Sequence, residues 1–238
     1  MNILTTCVTG QKADQSVEVV WALGTATQGR LHVSVPPNVQ DRDTVAELTA
    51  LHHLLVMLAV FGNDRAGNAL YLTVSSGAIR KLMQRRSTKT HLVPYSNFLA
   101  TRFADASITV EPKAAWLKPR ADKRVEVLEL DSHSLEDEIV LRPFGRVALT
   151  RHALDQFGMR SNSPEAPSET WRAIRLILAN RLEEVSIGEE LVRGRIERHG
   201  VEGRIFYHAD SRWNFVIAAA EGQRPRIVTA YNWLRKRR

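Results

Sequence analysis

The sequence predicts an α+β protein of two domains, each a sheet with accompanying helices, and three observations carry that expectation. Within the first 112 residues the hydrophobic period changes from two to about 3.6 residues and back. In the last third, runs of β-branched and aromatic residues separated by turn signals follow a helical stripe, the pattern of an antiparallel sheet behind one or two helices. Between these regions, Pro112 to Asp122 (PKAAWLKPRAD) is rich in proline and lysine, and Arg124 to Glu138 (RVEVLELDSHSLEDE) ends in an acidic run. The expected organisation is a first domain over 1–112, a linker over 113–140 and a second domain over 141–238.

In the first domain, residues 2–9, 16–24 and 29–35 read as three strands with short links, a meander closed by Pro36-Pro37. Val45, Leu48, Leu51, His52, Leu55, Leu58 and Ala59 then recur at helical spacing from Asp43 to about Phe61. Thr44-Val45-Ala46-Glu47 has the form of a capping box, in which Glu47 bonds back to the helix start. A loop over 62–68, a buried strand over 69–74, a short helix over 76–84, a helix over 95–103 and a strand over 107–110 follow. His52 and His53, adjacent on one helix, cannot both face one metal, and His52 belongs near a packed face. Val125 to Leu130 alternates as a strand could, in either sheet, and the acidic run beyond it reads as a solvated loop or as a counter-charge to the basic second domain.

The second domain opens with a strand or turn over 139–147. Ser168 is placed to cap a helix over 169–182, with Trp171, Ile174, Leu178 and Leu182 along one stripe. Strands are expected at 190–196, 204–208, 213–219 and 226–231.

Of 238 residues, 44% are hydrophobic and 25% charged, the composition of a soluble globular chain with a core to bury. The net charge of +7 favours an anionic partner. Residues 1–141 hold 15 Lys+Arg against 15 Asp+Glu, and residues 142–238 hold 18 against 11, so the excess lies in the second part. Seventeen of those 18 bases are arginine, the side chain suited to bidentate phosphate contacts. The single cysteine, Cys7, rules out an internal disulfide and any cysteine cluster for zinc. The start of the chain has no signal-peptide pattern and no stretch has the length of a membrane span, so a cytoplasmic location is expected, with no membrane partner, no metal and no cofactor.

Arg204, Tyr207, His208, Arg212, Trp213, Tyr231 and Trp233 stand on or beside the last strands, Arg198 precedes them, and Arg235, Lys236 and Arg237 lie in a basic tail. Guanidinium groups pair with phosphates and aromatic faces stack on unpaired bases, so this set suits single-stranded nucleic acid, RNA in particular. Packing in the sheet and solvation of the tail are the competing structural roles.

The order strand, strand, strand, helix, strand, helix, helix, strand over 2–112 resembles the RNase H-like fold. Ala46-Glu47-Leu48-Thr49-Ala50 is similar to that family's first-helix motif, and Leu72 to Arg80 (LTVSSGAIR) to its fourth strand running into the second helix. The family's reaction places two divalent ions between carboxylates. Here Ser75 matches the fourth-strand aspartate and the first strand is without an acid, so the resemblance implies a degenerate site in which only Glu47 remains.

Residues 146–233 resemble the small toxin-nuclease superfamily of barnase, RelE and the ribonuclease colicins, on His152-Ala153-Leu154 followed by Arg160, the helix-to-sheet order and the last strand IVTAYN. That resemblance implies metal-independent RNA chemistry by His, Arg and Tyr side chains, for which His152, His208, Arg212 and Tyr231 are candidates beside His199 and Arg198. The leading expectation is RNA binding without cleavage. A toxin-type endoribonuclease and a protein-binding adaptor are the alternatives, and the combination of folds suggests a phage or mobile-element origin.

Overall fold

In the computed structural model, which describes residues 2–12, 16–25, 27–117, 126–129, 135–141, 145–161, 166–185, 203–219 and 224–232, the chain is α+β and divides into two compact units, Met1–Glu136 and Asp137–Arg238. The first unit opens with β1 (Ile3–Gln11), β2 (Val17–Leu23) and β3 (Thr27–Ser34), an antiparallel meander. Alternation then gives way to a run of Leu, Ala and Val without Gly or Pro, and α1 (Arg42–His52) follows, prolonged by a π-helical turn at His53–Met57. After α1, β4 (Tyr71–Val74) and β5 (Ser107–Val110) extend the sheet in parallel on the far side of β1. Between them lie α2 (Gly77–Met83), a 3₁₀ turn at Thr90–Ser96 and the short α3 (Asn97–Ala100). The helix expected over 95–103 is thus reduced to the end of this 3₁₀ turn, which holds Pro94, and the four residues of α3.

Strand β6 (Glu126–Glu129) pairs in parallel with β3, giving the order β5-β4-β1-β2-β3-β6. Leu4, Val19, Leu31, Leu48, Leu51, Leu72 and Phe98 form part of the core under α1, each at most 1% exposed. Truncating one of these leucines to alanine costs about 2–5 kcal/mol. A smaller cluster of Cys7, Val20, Ala22, Ala114 and Leu117 covers the opposite face. Gly29 sits in register with Trp21, whose indole lies over it; a Cβ at Gly29 would stand 2.6 Å from the ring. Arg102, 4% exposed, donates to the carbonyls of Arg65 and Asn63 and so closes the 62–68 loop.

In the second unit, β7 (Glu138–Leu141) and β8 (Gly145–Leu149) form a hairpin, followed by α4 (Arg151–Ser161), α5 (Pro167–Leu178) and β9 (Glu183–Val185). The sheet is completed by β10 (Gly203–His208), β11 (Trp213–Ala218) and β12 (Arg226–Asn232), in the order β7-β8-β12-β11-β10-β9. It is mixed, since β12 runs parallel to β8. Phe157 of α4 packs on Trp213 with ring centroids 4.1 Å apart, which sets the helix-covered face of this sheet.

Three sequence expectations change here. The stretch 113–140 is not simply a linker: it supplies β6 to the first sheet and most of β7 to the second. Its end is not a solvated loop either, because Glu136 and Asp137 are buried, and Glu138 accepts from Arg146 and Arg224. Ser168 is not a cap; α5 begins one residue earlier with Pro167 at its first position, where a missing N–H costs nothing, and Ser168 is fully buried. The expected strand at 190–196 lies outside the described residues.

Candidate functional site

Helix α1 places Glu47 against the sheet, between β1 and the end of β4, with no solvent exposure. Oε1 accepts from the Thr6 hydroxyl at 2.9 Å and from the Ser75 backbone N–H at 2.7 Å, and Oε2 accepts from the Ser75 hydroxyl at 2.6 Å. Burial raises the pKa of Glu47 above the ordinary carboxylate value, outweighing the opposing effect of the hydrogen bonds from Ser75 and Thr6. The capping box is absent. Helix α1 starts at Arg42, with Asp41 before it in the left-handed region at φ 54°, so Glu47 stands in the second turn, turned towards the sheet. Asp41 makes no cap bond and holds Lys89 and His91 instead, at 2.6 and 2.8 Å.

Both oxygens of Glu47 are therefore engaged by neutral donors, from Thr6 on β1 and from Ser75 just after β4. A cluster in which hydroxyls surround one carboxylate pins helix to sheet; a divalent cation needs several oxygen ligands with negative charge among them. Among the described residues, no group of three His, Cys, Asp or Glu is placed to hold a metal ion. His52 packs edge-on against Phe98, and its Nε2 lies 3.0 Å from the Glu136 carbonyl oxygen, as expected near a packed face. His53 instead pairs with Glu126 at 3.0 Å, next to β6.

The second unit separates the residues suggested for catalysis. Across β10, β11 and β12 the register aligns His208, Trp213 and Asn232 in one row and Tyr207, Asn214 and Tyr231 in the next. Neighbouring positions of a strand point to opposite faces, so His208 and Tyr231 lie on opposite sides of the sheet. His152 is at the start of α4, where Thr150 bonds to the Ile227 carbonyl, whereas His208 is level with Asn232, roughly 16 Å further along β12 at a strand's rise per residue. His152, His208 and Tyr231 do not converge. Arg212 is exposed in the turn between β10 and β11, in the left-handed region at φ 58°.

As binding residues the predicted set divides. Trp213 is 6% exposed and packed on Phe157, so it is core rather than a stacking platform. His208 is buried as well; its Nδ1 accepts from the Ser211 N–H at 3.2 Å and lies 2.7 Å from the Ser211 hydroxyl, an arrangement that closes the β10–β11 turn. Arg204 is exposed, but its guanidinium is held in two bonds by Glu184, at 2.7 and 2.6 Å, and lies over Phe206. Tyr207 and Tyr231 are partly exposed, on the face away from Phe157. Arg198, His199, Trp233, Arg235, Lys236 and Arg237 lie outside the described residues.

A second basic region escaped the sequence reading. From Arg65 to Phe103 the chain has seven Lys+Arg and no Asp or Glu, and Arg80, Lys81, Arg85, Arg86 and Lys89 are exposed around the end of α2. The whole-domain charge balance hides this stretch, because acids elsewhere in the first 141 residues cancel it; a local charge window reveals it. Comparison of the chain with family models, curated proteins and solved structures returns no match.

Proposed function

We propose that the chain binds RNA, or single-stranded nucleic acid more broadly, without cutting it, on an RNase H-like first unit with a degenerate site and a toxin-nuclease-like second unit. The observation that carries this reading is the exposed basic surface of Arg80, Lys81, Arg85, Arg86 and Lys89. Arg80, Lys81, Arg85 and Arg86, in a stretch of sequence without acids, set up the positive field that attracts a phosphate backbone, Lys89 being paired with Asp41, and the nearby Ser87, Thr88 and Thr90 add hydroxyl donors. The strand order of the first sheet and the position of Ser75 beside Glu47 support the RNase H-like part of the reading; the enclosed state of Glu47 supports binding over cleavage. In the second unit, Tyr207 and Tyr231 are the remaining aromatic contacts and Arg212 the exposed arginine of the β10–β11 turn.

The test is a labelled single-stranded RNA incubated with the full chain in EDTA and, separately, in Mg²⁺, with each sample run on native and denaturing gels. The expected result is a shifted, intact RNA in both, with the shift lost at high salt. Fragments in either condition overturn the non-cleaving reading, and no shift at low salt overturns the binding reading.

A further inference from the structure

Asp41 precedes α1 in the left-handed region at φ 54° and makes no side-chain bond to the helix start, although aspartate is among the residues favoured there as a cap. Its carboxylate turns instead to the loop after α2. Oδ1 accepts from Lys89 Nζ at 2.6 Å and Oδ2 from His91 Nε2 at 2.8 Å, residues 48 and 50 positions further along the chain. These bonds, that from Lys89 first, lower the pKa of Asp41, so the acid is ionised at neutral pH. The three side chains are between 29% and 46% exposed, within reach of a ligand from solvent. Lys89 belongs to the exposed basic stretch that begins at Arg80, and the sequence from Arg65 to Phe103 has no acid of its own. The anion that Lys89 and His91 hold is thus brought in from another element.

We propose that Lys89 and His91 form a phosphate site that Asp41 occupies in the free protein and that a nucleic-acid backbone takes by displacing the carboxylate. It rests on the RNA-binding reading above, to which it adds two contacts and their internal competitor. A carboxylate and a phosphodiester both present negatively charged oxygen acceptors, so two donors that hold the one between them suit the other. An exposed ion pair is worth a factor of about five at most. A backbone that also meets Arg80, Lys81 and Arg86 can therefore displace it.

The experiment measures fluorescence anisotropy of the full chain with labelled ten-nucleotide oligo-U over a series of salt concentrations, for the natural protein, Asp41→Asn, Asp43→Asn, Lys89→Ala and the double variant Asp41→Asn with Lys89→Ala. Asparagine keeps the shape of the side chain and tolerates the left-handed backbone, so the first substitution removes the charge and little else. Asp43, exposed in the first turn of α1, controls for the loss of one negative charge near the basic loop. The expected result is that Asp41→Asn binds about two- to fivefold more tightly, with a salt slope steeper by about 0.7 for each phosphate gained. Asp43→Asn should change affinity by less than about twofold, and Lys89→Ala should cost more in the Asp41→Asn background than in the natural one. Unchanged or weakened binding in Asp41→Asn, an equal gain in Asp43→Asn, or a Lys89→Ala loss as large in the natural protein as in Asp41→Asn overturns the inference while leaving RNA binding intact. No binding by any of the proteins at low salt overturns the RNA reading and this one with it.

Discussion

Ser75 donates to Glu47 twice, from its backbone N–H at 2.7 Å and from its hydroxyl at 2.6 Å, so one residue at the end of β4 engages both oxygens of a fully buried carboxylate. The same hydroxyl lies 3.5 Å from the Val8 N–H, which leaves its proton directed to Glu47. The pair joins α1 to the middle of the first sheet and makes Glu47 a structural acceptor.

Removing that acceptor should therefore damage the fold. Glu47→Ala leaves the Ser75 N–H and two hydroxyls buried without a partner, and a loss of roughly 3 kcal/mol is expected. Glu47→Gln keeps an oxygen at the Oε1 position, and the Ser75 hydroxyl can turn to accept from the new amide, so a loss of about 1 kcal/mol is expected. Urea unfolding of the two variants checks this; equal losses would show that the oxygens are not what matters.

Glu18 should make stability fall in acid. Burial raises its pKa, but hydrogen bonds from Thr9, Lys12 and His32 prevail and bring it from 4.5 down to about 2. A carboxylate whose pKa is lowered by folding stabilises the native state above its unfolded pKa, and the contribution disappears as pH falls through the folded value. Thermal midpoints of the natural protein and Glu18→Gln should differ most above about pH 5 and converge between 4.5 and 2. A difference independent of pH would contradict this.

Trp213 and Tyr231 should part company on substitution. Trp213→Ala empties the contact with Phe157 and should cost about 3–5 kcal/mol of stability. Tyr231→Ala should leave the protein folded and weaken RNA binding about tenfold, the value of one base stack. Circular dichroism melts alongside anisotropy separate the two.

Charge reversal at the end of α2 should lower both affinity and its salt dependence. With Arg80→Glu and Arg86→Glu together, the slope of log affinity against log salt should become shallower by about 1.4 if each arginine contacts one phosphate of a single strand. An unchanged slope would place the phosphates elsewhere.

Glu184 should act as an internal competitor for Arg204. Its pKa is lowered chiefly by the hydrogen bonds from Arg204. Glu184→Gln should release the guanidinium to the ligand and steepen the salt slope by about 0.7. No change would mean that Arg204 lies outside the interface.

Much of the fold was legible in the residues because local periodicity is a direct consequence of backbone geometry. The β1–β3 meander, β5, β10 and β12 fall within about three residues of the positions their hydrophobic patterns predict, whereas α1, α3 and α5 end at His52, Ala100 and Leu178, short of the expected ends near Phe61, Phe103 and Leu182. Edges were less legible. Glu47 looked like a helix cap because Thr44 stands three residues before it, but the helix begins earlier and Thr44 itself lies 3.2 Å from the Ser76 hydroxyl. Trp213 looked like a stacking platform because an exposed indole and a core indole have the same place in an alternating strand; only Phe157, 56 residues earlier, decides between them.

The sequence by itself determined the class of fold, the absence of acids from the first strand, the position of Ser75 and the arginine-rich balance of the last hundred residues, since each is a matter of composition or short-range pattern. Tertiary structure alone decided that His208 and Tyr231 face opposite ways, that Glu184 occupies Arg204, that Glu47 is enclosed by Thr6 and Ser75, and that Asn214 is buried between two tyrosines without a bond. Strand pairing, register and helix packing bring together residues tens of positions apart, and no pattern within a window of one turn or one strand carries that information.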